Sequence, residues 1–238
     1  MKRLIAAAML LAALSGLLGA TVELTGADMA VEVPVGWRVM TRSDAESERI
    51  AAMFGMTAEQ AVKMMEDGDF YLILYEPQTG AEMYVTAFAS QYAQQVRSMN
   101  GLAPDEIEIA KEDLLEGYSE WAYDSDVVSK KLGAFTYLVM TMHTQMGEER
   151  LDNRQLFTIH DGREIYVDLY VRENELLETH AAAQDALAES LQVDYAQVKA
   201  QREYKTYVFA AVGCMAMMLI QFVGIALTVM LRTREKME

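Results

Sequence analysis

The chain has 238 residues, 52% of them hydrophobic, and a formal net charge of −16. Five of its 20 basic residues, Lys2, Arg3, Arg232, Arg234 and Lys236, sit at the two ends, so the middle is more acidic still. Such a charge repels phosphate backbones and anionic lipid, which argues against nucleic acid; it leaves a plain solvated surface or the binding of a cation or basic partner.

Met1-Lys2-Arg3 followed by the apolar run Leu4 to Ala20 has the charged and greasy regions of a secretory signal, and Leu18-Gly19-Ala20 offers a cleavage site. Residues 1–20 are therefore expected to be a signal peptide, with an uncleaved signal anchor forming a second span as the alternative. No cysteine follows to carry a lipid. The sole cysteine, Cys214, lies far downstream, so the region from Thr21 has no disulfide and must be stabilised by packing. The methionines, 18 in all, are expected mainly to fill core gaps.

In Met29-Ala30-Val31-Glu32-Val33, Met29, Val31 and Val33 alternate as in a half-buried strand. Pro34-Val35-Gly36 then reads as the tip of a β-hairpin whose second strand is Trp37 to Met40. Ser43 and Glu46 have capping-box spacing and predict a helix ending near Gly55; Thr57 and Gln60 repeat it for a second helix closed by Gly68. Phe70 to Tyr75 and Glu82 to Ala89 read as neighbouring antiparallel strands joined through Gln78-Thr79-Gly80. Pro104 fits a first helical turn, after which Ile107, Ala110, Leu114, Tyr118 and Trp121 recur at three- and four-residue steps.

Phe135 to Met142 predicts another strand. Gln155 to His160 and Arg163 to Val171 flank Asp161-Gly162, a dipeptide favoured in two-residue hairpin turns. Pairing His160 with Arg163 places Leu156 and Thr158 on one face with Ile165, Val167, Leu169 and Val171. Phe157 and Ile159 then share the other face with Tyr166 and Tyr170. Since both faces are partly apolar, both need a cover. Asn174 is the expected cap of a last helix with Leu176, Leu177, Leu187 and Leu191 on or near its buried stripe.

Residues 195–206 are polar and read as a juxtamembrane stalk. From Tyr207 to Leu231 no side chain is charged. At about 1.5 Å of rise per residue this stretch is roughly 37 Å long, enough to cross a hydrocarbon core of about 30 Å as one transmembrane helix. Residues 232–238 form a basic tail expected to stay in the cytoplasm, with the export signal placing the preceding domain outside. Ala210/Cys214 and Gly224/Thr228 have the small-residue spacing of a helix–helix contact, and Gln221 offers a hydrogen bond within it, so the span is a possible interface.

The order of these elements, together with Val33-Pro34-Val35-Gly36-Trp37 and the hairpin from Phe157 to Leu169, resembles the Mog1/PsbP-like α/β/α sandwich over Val22 to Gln192. The resemblance implies a binding or adaptor module rather than an enzyme. It carries over no catalytic residue, and a membrane tail departs from the soluble members.

Three histidines merit inspection for chemistry. His160 reads as a solvated turn residue, and His180 lies on a helix. His143 adjoins Met140, Met142 and Met146, soft ligands suited to Cu(I), yet alternation puts Met140 and Met142 opposite His143, so core packing is the better account. Asp124-Ser125-Asp126 fails an EF-hand test, because the sixth and twelfth positions are Ser129 and Phe135. Glu66-Asp67-Gly68-Asp69 reads as a helix end and turn. Neither a nucleophile elbow, a phosphate loop nor a metalloprotease motif occurs.

The expected fold is α+β, an antiparallel sheet covered by helices over residues 21–194, then one transmembrane helix. The expected function is a membrane-anchored extracytoplasmic binding or adaptor module without catalytic activity, which binds another envelope protein or a ligand, neither of which the sequence identifies. Its alternatives are an envelope hydrolase with an unrecognised site and an accessory subunit that uses its span as interface. No catalytic, cofactor-binding or metal residue is assigned, and no cofactor is expected.

Overall fold

A computed structural model describes residues 18–118, 123–146, 149–172 and 176–194. The predicted span at 207–231, the stalk, the tail, most of the signal, Cys214, Trp121 and Asn174 lie outside them. No described helix is long and apolar enough to cross a membrane. The first compact unit ends at Val193 and a second begins at Asp194.

The first unit is mixed α+β. In chain order it runs β1 (Leu18–Leu24), β2 (Met29–Pro34), β3 (Arg38–Thr41), α1 (Glu48–Met53), α2 (Ala58–Asp67), β4 (Phe70–Tyr75) and β5 (Glu82–Ala89). Then come α3 (Gln91–Val96), a 3₁₀ turn (Met99–Gly101), α4 (Pro104–Tyr118), β6 (Tyr123–Leu132), β7 (Phe135–Met146), β8 (Glu149–His160), β9 (Arg163–Arg172), α5 (Glu178–Ser190) and β10 (Gln192–Val193). Seven strands form one antiparallel sheet in the order β3-β4-β5-β9-β8-β7-β6, and β1-β2-β10 form a second.

The predicted hairpin of Met29–Val33 with Trp37–Met40 does not form. β2 pairs with β1 and β10, whereas β3 pairs with β4 in the large sheet. Pro34 to Trp37 is a turn, with the Trp37 N–H reaching the Pro34 carbonyl at 3.5 Å, but it carries the chain from one layer to the next. The reason is packing: Met29, Val31 and Val33 bury against the large sheet's face instead of lying within it.

Ser43 does not cap a helix either. Thr41 Oγ1 lies 2.9 Å from Ser43 Oγ and donates to Asp44 Oδ2 at 2.7 Å, which ties the segment into turns, and α1 starts only after Ser47. This is the local competition with helix that short polar side chains offer. The second box is formed in full: Thr57 Oγ1 accepts from Gln60 N and Gln60 Oε1 accepts from Thr57 N. α4 opens at Pro104, with Glu106 Oε2 accepting from Ala103 N at 2.7 Å. α5 begins at Glu178 behind Leu177, which caps without its side chain and is exposed, so Leu177 is not on the buried stripe; Leu187 and Leu191 are.

The Asp161-Gly162 hairpin forms in the expected register, His160 opposite Arg163, with φ of 47° and 75° at the two turn residues. Both positive angles match a type I′ turn, which a second-position glycine relieves of strain. The faces sort as read from alternation. Leu156, Ile165, Val167, Leu169 and Val171 meet β1, β2 and α5 on one side of the sheet. Phe157 and Ile159 meet Ala93, Met99 and Ala110 on the other. The covers differ in kind: a small sheet plus one helix on the first face, helices on the second.

Candidate binding site on the second face of the sheet

The helices of the second face cover it in two separate patches. α1 and α2 pack over Met40, Ile73 and Tyr84. α3 and α4 pack over Val127, Leu138, Met140 and Phe157. Strand register fixes what lies between. One row crosses all seven strands as Met40, Ile73, Tyr84, Asp168, Gln155, Met140, Val127. It is apolar at both ends and polar at its centre. The rows on either side place Glu82, Tyr170 and Asn153, and Thr86, Tyr166 and Phe157, next to that centre.

Charge is buried in this strip. Asp168 is only 8% exposed, and the Gln155 amide donates to its Oδ1 at 2.8 Å. Burial pushes its carboxyl from an ordinary 3.8 up to about 6, against a smaller lowering by Gln155. The side-chain amide oxygens of Asn153 and Gln155 are buried and have no hydrogen-bond partner among the described residues. Glu164 accepts from Ser90 Oγ, and from Tyr166 OH at 2.6 Å. The Tyr84 hydroxyl donates to Glu82.

Two cavities border the strip. The larger, of about 550 Å³, is lined by Met53, Met56, Met64, Ile73 and Tyr84, with Arg38 and Glu82 as its charged groups. Arg38 is held by the Met53 carbonyl at 2.5 Å and lies 5.6 Å from the Tyr75 ring centre. The smaller, of about 220 Å³, lies where α3 and α4 meet β8 and β9. The size and mixed lining of the larger one suit a ligand or an anchoring side chain.

The sequence-selected residues fall elsewhere. His143 Nδ1 lies 2.7 Å from Asp152 Oδ1 on the first face, while Met140 and Met142 belong to the cluster on the second. His160 is not a solvated turn residue: it is half-buried, 5.1 Å from the Phe135 ring, with its Nδ1 buried. Asp126 is part of β6 opposite Thr141, and Asp69 follows the end of α2 with Arg42 at 3.8 Å.

His180 comes together with Thr79 and Glu76, a hydroxyl, an imidazole and a carboxylate. Its Nε2 is 3.0 Å from both Thr79 Oγ1 and Glu76 Oε2, and Thr79 donates to that same carboxylate. A nucleophile–base–acid relay needs the acid on the other imidazole nitrogen, but Nδ1 is buried with no partner among the described residues. With the hydroxyl proton directed to Glu76, this group fastens α5 to the β4–β5 turn. Glu164 and Asp168 were the residues to find, through charges sharing a strand face with Tyr166 and Tyr170.

In fold the chain is similar to a protein of Bacteroides thetaiotaomicron, with 13% identity and a TM-score of 0.45 over 74% of this chain and 48% of that one. It is similar also to the Ran-binding protein Mog1p of Saccharomyces cerevisiae, with 11% identity and a TM-score of 0.43 over 76% and 98%. LpqN of Mycobacterium tuberculosis, involved in cell envelope biogenesis, gives 10% and 0.37 over 73% and 88%. The chain thus spans about half of the Bacteroides protein, at 48%. No family model and no curated protein matches the chain.

Proposed function

We propose that this chain is a single-pass membrane protein whose extracytoplasmic domain binds a protein of the cell envelope without catalysing a reaction. In this reading residues 1–20 direct export, 21–194 form the domain, 195–206 the stalk, 207–231 the span and 232–238 the cytoplasmic tail. The observation that supports it best is the polar and aromatic strip between the two helical patches, bordered by two cavities. Its carboxylates are held by hydroxyls and an amide, an arrangement that fixes acceptors in place for recognition. Aromatic rings and methionines beside fixed polar groups are the composition of interaction surfaces.

The test is a photo-crosslinking amino acid placed in the full chain in living cells. At Phe88 or Met53, 38% and 43% exposed beside the two cavities, it should yield one discrete envelope-protein adduct. At Ile109, 58% exposed on α4, it should yield none. Identical adduct patterns at all three positions, or none at any, defeat the binding reading. Protease added to intact cells should digest residues 21–206; full protection would reverse the orientation.

A further inference from the structure

The pocket of about 220 Å³ on the second face holds a carboxylate that is nearly buried and has no counter-ion among the described residues. Glu164 is 9% exposed, and among the described residues its two oxygens accept only from the hydroxyls of Ser90 and Tyr166. No cationic side chain among the described residues pairs with it. Buried carboxylates are ordinarily paired with a cation, because hydroxyls return only part of the lost hydration. Here the side where a cation would stand is the pocket itself, which Glu164 lines together with Tyr92, Asp113, Leu114, Phe157 and Tyr166.

We propose that this pocket receives an arginine side chain of the partner protein. The inference rests on the binding-module reading and names the chemistry of its partner. Glu164 has lone pairs to spare, since a carboxylate offers about four acceptor sites and two are used. Asp113, exposed on α4, supplies a second negative charge at the rim. The field of both acids reaches the pocket wall: the Tyr92 phenol is raised above its ordinary value, first by burial and then by Asp113 and Glu164.

The walls decide for guanidinium over ammonium. Tyr166 stacks with Phe88 at 5.7 Å between ring centres and 15° between planes, and packs at 4.9 Å on Phe157. With Tyr92 this makes the pocket aromatic as well as acidic. A flat, weakly hydrated guanidinium stacks on such rings and forks to a carboxylate, whereas a compact ammonium keeps its water. The acidity of the chain as a whole steers a basic segment towards it.

The experiment titrates the full chain in detergent micelles, carrying ¹³C-labelled tyrosine rings, with acetyl-Gly-Arg-Gly-amide. The Tyr92 and Tyr166 signals, assigned with Y92F and Y166F, should shift saturably. The same peptide with neutral citrulline for arginine should bind about tenfold more weakly, and E164Q should cost the arginine peptide a similar factor. D113N, at an exposed position where folding is not at stake, should weaken binding by a smaller factor. Equal binding of the arginine and citrulline peptides, or unchanged binding in both D113N and a folded E164Q, overturns the proposal. Stronger binding of acetyl-Gly-Lys-Gly-amide than of the arginine peptide overturns the choice of guanidinium, and stronger binding of free spermidine overturns the assignment to a protein side chain. A Phe88 adduct that persists unchanged in E164Q and D113N removes this inference and leaves the binding module standing. Arginine binding without any adduct defeats the binding module and, with it, the assignment of the guanidinium to a partner protein.

Discussion

Gln184 grips Arg154 at both ends. Its Oε1 accepts from the Arg154 guanidinium at 2.6 Å, and its Nε2 donates to the Arg154 carbonyl at 2.7 Å and the Val167 carbonyl at 2.7 Å. The residue is fully buried, so α5 is fastened to β8 and β9 by a polar group with no access to water. Asp185 extends the tie, accepting from Arg154 at 2.8 Å and Lys130 at 2.6 Å. Gln184→Leu keeps the size and removes all three bonds, leaving buried acceptors and a guanidinium N–H unsatisfied. It should cost about 3 kcal/mol in denaturant unfolding. A loss within 0.5 kcal/mol, on the order of an exposed surface change, would show that the network is dispensable.

Asp168 should make the domain less stable as pH rises. Its carboxyl titrates at about 6 when folded, against 3.8 ordinarily, so between these values the folded state keeps a proton that the unfolded chain has released. Its favourable contribution is complete below pH 3.8 and is lost as pH climbs through 6. At pH 7 the ionised group therefore costs on the order of 3 kcal/mol. Asp168→Asn keeps an oxygen for the Gln155 amide and removes the charge. It should be more stable than the parent at pH 7, with the advantage fading by pH 4. Urea unfolding of both proteins at several pH values measures this; a constant difference would show that Asp168 does not titrate in the folded domain.

Arg42 shows which part of an ion pair matters. Its Nε donates to the Phe70 carbonyl at 3.0 Å, Nη2 to the Met65 carbonyl at 3.4 Å, and the guanidinium lies 4.1 Å from the Tyr71 ring centre. The nearby Asp69 is 69% exposed and 3.8 Å away. Arg42→Lys gives up the fork and the stacking that join the end of α2 to β4, and should cost about 1 kcal/mol. Asp69→Asn removes only a screened surface charge and should stay within about 0.5 kcal/mol. Equal losses in the two variants, read from thermal unfolding, would show that the fork and the stacking of Arg42 add nothing beyond a surface charge.

Local signals in the sequence were legible where one residue type answers one backbone demand. Asp161-Gly162 sits at two positive φ angles, and Thr57 with Gln60 closes a capping box, as their spacing predicts. Pairing decided from afar was not legible. Glu32 N donates to Ser190 Oγ across 158 positions of chain, and β10 adds to β2 from the far end of the domain, which no inspection of Pro34-Val35-Gly36 reveals. β6 was not legible because it is an edge strand, and its Asp126, Lys130 and Lys131 are the kind of charges by which edges avoid further pairing. Glu164 and Asp168 were hidden for the opposite reason: charged residues alternating in a strand look solvent-facing, yet both are buried on the sheet face.

Gly133 offers the sharpest check on how α5 sits against the large sheet. It occupies the two-residue connection between β6 and β7, where Leu132 pairs with Phe135, at a φ of +54°. A methyl group added there would stand 2.3 Å from the Glu189 carbonyl oxygen at the end of α5. That contact is with backbone, so no rotamer change relieves it. Gly133→Ala combines left-handed strain of about 1 kcal/mol with displacement of the helix end from the hairpin, and should cost about 3 kcal/mol in all. Gly162→Ala carries similar strain at a φ of +75° but makes only ordinary contacts with Gln94, at 3.6 Å from Cγ and 3.8 Å from Cα, so it should cost about 1 kcal/mol. Unfolding of the two variants separates strain from collision: equal losses would mean that α5 does not bear on the β6–β7 connection.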